Sequence, residues 1–126
     1  MYNDKVIEIF KNPKNVGSIR GADAIGEVGN FACGDIMKIY MKIKDNVIED
    51  VKFQTFGCAT AIVSTSIATE MIKGKTVEEA LRVTNKDILK VMGEIPKSKI
   101  HCSIMAEQAI YSAVQDFRKK QEAKNS

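Results

Sequence analysis

Met37, Ile39, Met41 and Ile43 alternate with Lys38, Tyr40, Lys42 and Lys44. Period two over that length requires a strand with one buried and one wet face. Asp45-Asn46 follows, and both residues tolerate the positive φ of a tight turn. The chain then returns from Val47 to Phe56, with Val51 and Phe53 on one side and Lys52 and Gln54 on the other. This pattern predicts an antiparallel hairpin. Two strands alone are marginal in water, so the other segments must cover the apolar face.

Those segments read mostly as helices. Asn3 to Phe10 carries a cap and apolar Val6, Ile7 and Phe10 at helical spacing, and Pro13 and Gly17 end it. Residues 1–20 are thus a short helix with a mobile arm. Ala24 to Val28, in a Gly-rich stretch, predicts a short edge strand. Ala59 to Lys73 is built of Ala, Thr, Ser, Ile and Val, has no charge before Glu70 and stops at Gly74. Small residues all round predict a helix packed closely on most sides. Thr76-Val-Glu-Glu79 is a capping box opening a helix to Arg82. Lys86 to Met92 is another short helix, Ile95 to Lys99 an exposed loop. The last helix starts near Cys102, turns Ala106, Ala109, Ile110, Ala113, Val114 and Phe117 inward, and frays over residues 118–126.

Strands first and helices after predict an α+β fold: a three-stranded antiparallel sheet, helices on one face, and a long C-terminal helix. The 126 residues suffice for one core, so residues 1–126 read as a single domain. The net charge of +3 arises from 19 basic and 16 acidic residues that are interleaved, which is no nucleic-acid footprint. No apolar run reaches the length of a membrane span, and the first residues carry no secretory h-region. The expected setting is cytoplasmic.

Three cysteines and one histidine remain to be explained. An odd count in a reducing compartment argues against a disulfide framework. Cys33 lies in Cys33-Gly-Asp35, where an extended segment would point Asp35 the same way as the thiol. Cys58 and Cys102 fall at predicted helix starts, where free N–H groups favour thiolate. None is expected on a core-facing position. A lone cysteine is usually a small buried hydrophobe, and a lone histidine a structural one. Three thiols at element ends, with Asp35 and His101 beside two of them, form a different pattern. The gaps are too wide for a zinc ribbon, so the fold must assemble the site. Thiolates suit iron–sulfur clusters, zinc or copper, and a harder carboxylate ligand would exchange more readily. A His101–Cys102 nucleophile pair is disfavoured, because neighbours on a helix point about 100° apart.

Taken together, Tyr2, Asn12-Pro-x-Asn-Val-Gly17, Cys33-Gly-Asp35, Phe56-Gly-Cys58, His101-Cys-Ser103 and Ala106-Glu-x-Ala-Ile110 resemble the IscU/NifU-type iron–sulfur cluster assembly scaffolds over nearly the whole chain. The resemblance implies a non-enzymatic scaffold that takes sulfur from a cysteine desulfurase, assembles a 2Fe–2S cluster and passes it to apo-proteins. It implies Cys33, Cys58 and Cys102 as cluster ligands, with Asp35 and His101 competing for the remaining position. All five would hold Fe²⁺ or Zn²⁺ in the cluster-free state. Cys102 is the expected persulfide acceptor, with Lys99 steering charge and Tyr2 contributing to a homodimer contact. Ile95-Pro-Lys-Ser-Lys99 departs from the Leu-Pro-Pro-Val-Lys of many members, so the chaperone interaction is not carried over. Ile9-Phe10 likewise stands where the family has His-Tyr. The alternative reading is a zinc-bound sulfur relay without a cluster. His101 and the absence of an insertion between the second and third cysteines favour the scaffold branch.

Overall fold

A computed structural model describes residues 3–30 and 34–125. Cys33 and Tyr2 therefore lie outside the described residues. The hairpin forms as the alternation requires. β2 (Asp35–Lys44) and β3 (Val47–Phe56) pair antiparallel, with Ile39 opposite Phe53 and Met41 opposite Val51. Asp45 (φ 52°) and Asn46 (φ 67°) both occupy the left-handed region, which matches the turn to the strand twist. Met37, Ile39, Met41, Val51 and Phe53 are buried beneath the helices. Tyr40 faces the other way, yet it too is buried: its hydroxyl donates to Gln54 Oε1 (2.7 Å) and Lys38 lies over its ring.

β1 (Ala24–Asn30) adds antiparallel to β2, giving the order β1-β2-β3. It runs two residues beyond the expected Val28, because Gly29 and Asn30 keep their register with Ile36 and Asp35. The outer edge of β3 is covered at two places. Phe53 donates to Asn15 O and accepts from Gly17 N, and Ile48 makes the corresponding pair with Lys75 and Gly74, all at 2.8 Å. These loops stop the edge from templating another strand.

Helices cover one face. α1 is Asp4–Lys11, α2 Ala59–Ile72, α3 Val77–Ala80, α4 Asn85–Met92 and α5 His101–Asn125. α2 is buried nearly all round, as its small residues predict; Thr65 donates to Ala61 O (2.7 Å) and Thr69 to Thr65 O (2.8 Å) within the helix, while Ser64 and Ser66 reach Met92 and Lys14. α5 lies across β1, where a side chain on Gly26 would strike the Ala109 carbonyl and the Ala113 amide. That close approach carries the Ala106, Ala109, Ala113 and Val114 stripe onto the sheet.

Boundaries differ in places for local reasons. The Thr76–Glu79 capping box forms, but its helix closes at Ala80 instead of reaching Arg82. α4 starts one residue earlier than expected, because Thr84 and Asp87 make a second capping box. The segment before α5 holds a 3₁₀ turn, Lys97–Lys99, so α5 begins at His101 and not at Cys102. It continues to Asn125 instead of fraying from Arg118, helped by the Asp116–Lys120 pair (3.0 Å). Among the described helices none is long and apolar enough to cross a membrane.

Asn3 ties the two ends of this helical layer. Its Oδ1 accepts from Val6 N (3.0 Å), capping α1, while its Nδ2 donates to Met92 O (2.7 Å) at the end of α4. The topology also gathers several element starts at one end of the sheet. Asp35 opens β2, Cys58 caps α2 straight after β3, and His101-Cys102 opens α5.

Candidate metal centre

Four of the residues singled out by sequence meet at that end. Donor atoms of Asp35, Cys58 and Cys102 lie within 4.8 Å of one another. Asp35 Oδ2 is 3.0 Å from His101 Nε2, which is 3.6 Å from Cys102 Sγ. Cys102 Sγ is in turn 3.9 Å from Cys58 Sγ. The set stands beside an open cleft of about 440 Å³ lined by Asp35, Phe56, Gly57, Cys58 and Lys99 among others. Another cavity, about 430 Å³, lies remote from the thiols between α1, α2 and α4, and Ile9, Ile67, Met71 and Val91 line it.

Each donor is held for a physical reason. Asp35 is only 5% exposed, an unusual place for a carboxylate without a partner, and His101 is that partner. His101 Nδ1 lies 2.9 Å from the Ser98 carbonyl. A carbonyl can only accept, so Nδ1 carries the proton and Nε2 is the atom turned toward the cluster of donors. Nε2 and Oδ2 at that separation need a proton between them or a cation in its place. Ser98 went unnoticed in the sequence, since its contribution is a backbone carbonyl set by the 3₁₀ turn.

The two thiols are not alike. Partial burial opposes ionisation of Cys58, but the Ala61 and Thr60 amides, the Cys102 thiol and the Lys99 charge outweigh it. Its pKa lies below the ordinary thiol value, as expected at a helix start. Cys102 behaves oppositely. Burial first, then the neighbouring Cys58 and Asp35, push it up to about 12, with Lys99 pulling weakly the other way. Its side chain is fully buried in the core, which corrects the expectation that no cysteine faces the core. The helix start does not confer thiolate character here: burial, Cys58 and Asp35 outweigh the Lys99 charge, whereas at Cys58 the Ala61 and Thr60 amides help to offset burial. In the metal-free protein Cys102 is thus the weaker acid of two thiols whose sulfurs are in hydrogen-bonding contact. The contact between Cys102 and His101 also removes the rotational objection raised above, for the ring folds back toward its own neighbour's sulfur.

Two sulfurs and a carboxylate within 4.8 Å of one another, with an imidazole nitrogen beside the carboxylate and one sulfur, are a donor set for a thiophilic cation such as Zn²⁺ or Fe²⁺. The NifU-like N terminal domain family matches residues 1–124 of this chain. The chain belongs to that family. It is 56% identical over 120 residues to the iron–sulfur cluster assembly scaffold protein IscU 1 of Archaeoglobus fulgidus, covering 95% of this chain and 78% of the relative. To the scaffold protein IscU of Escherichia coli K12 it is 48% identical over 127 residues, 98% of each chain. The crystal structure of a nitrogen-fixing NifU-like N-terminal domain from Brucella abortus has the same fold, with a TM-score of 0.73 over 94% of both chains at 21% identity. For a NifU-like domain the fold is thus the expected one: a three-stranded antiparallel sheet with helices on one face and a long last helix.

Proposed function

We propose that this chain is a scaffold on which an iron–sulfur cluster is assembled and from which it is passed to apo-proteins. The observation that carries the reading is the convergence of Asp35, Cys58, His101 and Cys102 from three separate element starts. The likeness to IscU scaffolds supports it. Cys58 and Cys102 serve as thiolate ligands, together with Cys33, two positions before Asp35 in the sequence. Asp35 or His101 completes the set for a 2Fe–2S cargo, and the same residues hold Fe²⁺ or Zn²⁺ when no cluster is present. Reducing conditions, as in the cytoplasm, keep these thiols free.

The protein's own part in the chemistry follows from the geometry. Cys58, the more acidic of the two described thiols, supplies the first thiolate. The buried Cys102 must lose its proton before it can ligate or react. His101 Nε2 is the nearest base, provided the Asp35 contact is released. A cysteine desulfurase is the proposed sulfur donor. The Cys102 thiolate attacks the terminal sulfur of the donor's persulfide; the donor thiolate leaves, and Cys102 becomes the persulfide. Lys99, which lines the cleft, favours negative charge on both sulfurs. Tyr2 is proposed as a contact between copies of the scaffold.

The test is anaerobic reconstitution with ferrous iron, cysteine and a desulfurase, followed by the visible spectrum and iron and sulfide analysis. About two irons and two sulfides per cluster with a charge-transfer spectrum are expected. A colourless protein retaining one zinc would replace the scaffold with a zinc-bound sulfur relay. Persulfide that persists on Cys102→Ser would move the acceptor to another cysteine.

A further inference from the structure

Gly57 links the end of β3 to the Cys58 cap, and it is exposed to solvent. Its backbone does not call for glycine. Gly17, Gly21, Gly34, Gly74 and Gly93 have positive φ; Gly57 does not. Nor does it serve a close crossing of elements, as Gly26 does. Yet a side chain has no room. A Cβ at Gly57 would stand 2.5 Å from Asp35 Oδ1, 3.1 Å from Asp35 Cγ and 3.2 Å from Ala61 Cβ.

Neither neighbour is free to withdraw. Ala61 is fully buried within α2. Asp35 has its other oxygen 3.0 Å from His101 Nε2, and because a carboxyl group is planar its two oxygens move together. The carboxylate thus rests against the bare Gly57 backbone on one side and is clamped by imidazole on the other. We propose that Gly57 is a positioning residue: having no side chain, it leaves the place from which Asp35 reaches His101 and the two sulfurs. This rests on the metal-centre reading above and adds to it the residue that decides where the carboxylate stands.

Three variants test it: Gly57→Ala, Asp35→Ala and the two together. The probe is Co²⁺ alone, titrated anaerobically and followed by its thiolate absorption. Asp35→Ala and Gly57→Ala should each weaken Co²⁺ binding by about 10–100-fold, the usual effect of disturbing a ligand's support. Because both act through one carboxylate, adding Gly57→Ala to Asp35→Ala should change affinity by less than about 2-fold. The crystal structure of metal-free Gly57→Ala should show the Asp35–His101 contact opened beyond hydrogen-bonding distance. An unchanged contact in that variant, or a double variant that loses the product of the two single losses, would overturn the proposal. If Gly57→Ala does not fold alone but folds once Asp35 is alanine, the clash with Asp35 is upheld. If neither folds, the glycine serves Ala61 packing and the proposal fails. Should the parent bind no Co²⁺ at these residues, the metal-centre reading falls, while the metal-free structure still decides the role of Gly57.

Discussion

The inequality of the two described thiols gives a direct experiment. The protein is stripped of metal by chelator and carries Cys33→Ser, so that only Cys58 and Cys102 can react with iodoacetamide. At pH 8 a Cys102 pKa of about 12 leaves about 10⁻⁴ of it as thiolate. Cys58, lying below the ordinary value of 9.0, is at least about one-tenth ionised. The thiolate populations thus differ by about 10³. A more basic thiolate is a better nucleophile. Taking a slope of about 0.4–0.5 over three units, this returns a factor of about 20–30 to Cys102. Cys58 should therefore be alkylated at least about 30 times faster, and faster still because Cys102 is fully buried. Quenched time points, digestion and mass spectrometry give the two rates, and a control in urea should bring them close together. Equal rates in the folded protein, or a faster Cys102, would refute the claim that burial governs its ionisation. They would also remove the deprotonation step from the proposed sulfur transfer to Cys102.

Four other outcomes follow. Asn3→Ala should lower stability by about 2 kcal/mol, about 1 for the α1 cap and about 1 for the bond to Met92 O, while Asn3→Asp keeps the cap and should lose about 1, as read from urea midpoints. Gly26→Ala drives a methyl into the α5 backbone and should cost about 2–3 kcal/mol, whereas Gly29→Ala on the same strand meets nothing nearer than Asp35 O at 3.7 Å and should cost much less in thermal unfolding. If Asp35 confers lability on the bound cluster, Asp35→Ala should hold it longer in air or chelator; an equal or shorter lifetime counts against that role. Folded Cys102 keeps its proton while the unfolded thiol loses it near pH 9, so stability should fall as pH rises from about 9 to 12, and Cys102→Ala should flatten that slope.

The hairpin, the small-residue helix and the inner stripe of α5 could be read from the chain because each is set by local periodicity. Met37 to Ile43 alternates apolar and polar residues and so pairs as a hairpin strand, but its register with Val51 and Phe53 also needs the one-residue shift between Lys42 and Ile43, which a two-residue turn alone does not give. That Asp35, Cys58, His101 and Cys102 come together was legible for a different reason: all sit at element starts, and starts at the same end of a sheet come together once the order β1-β2-β3 is fixed. The environment of those residues was not legible. Whether the first turn of α5 is wet or buried depends on where the sheet and α2 pack against it, a tertiary fact that governs Cys102, while at Cys58 the Ala61 and Thr60 amides help to offset burial. The Ser98 carbonyl and the bare surface of Gly57 escaped for the same reason, since neither acts through a side chain. One consequence is mechanistic. A scaffold whose described thiols were both thiolates before loading would carry mutually repelling charges beside a buried carboxylate. Here Cys102 stays neutral beside the Cys58 sulfur, and Asp35 faces His101 across 3.0 Å. Binding a cation must displace the Cys102 proton, so loading should release acid and strengthen as pH rises. The metal-free site is thereby kept stable, at the cost of affinity for its cargo, which suits a centre that has to give the cargo away.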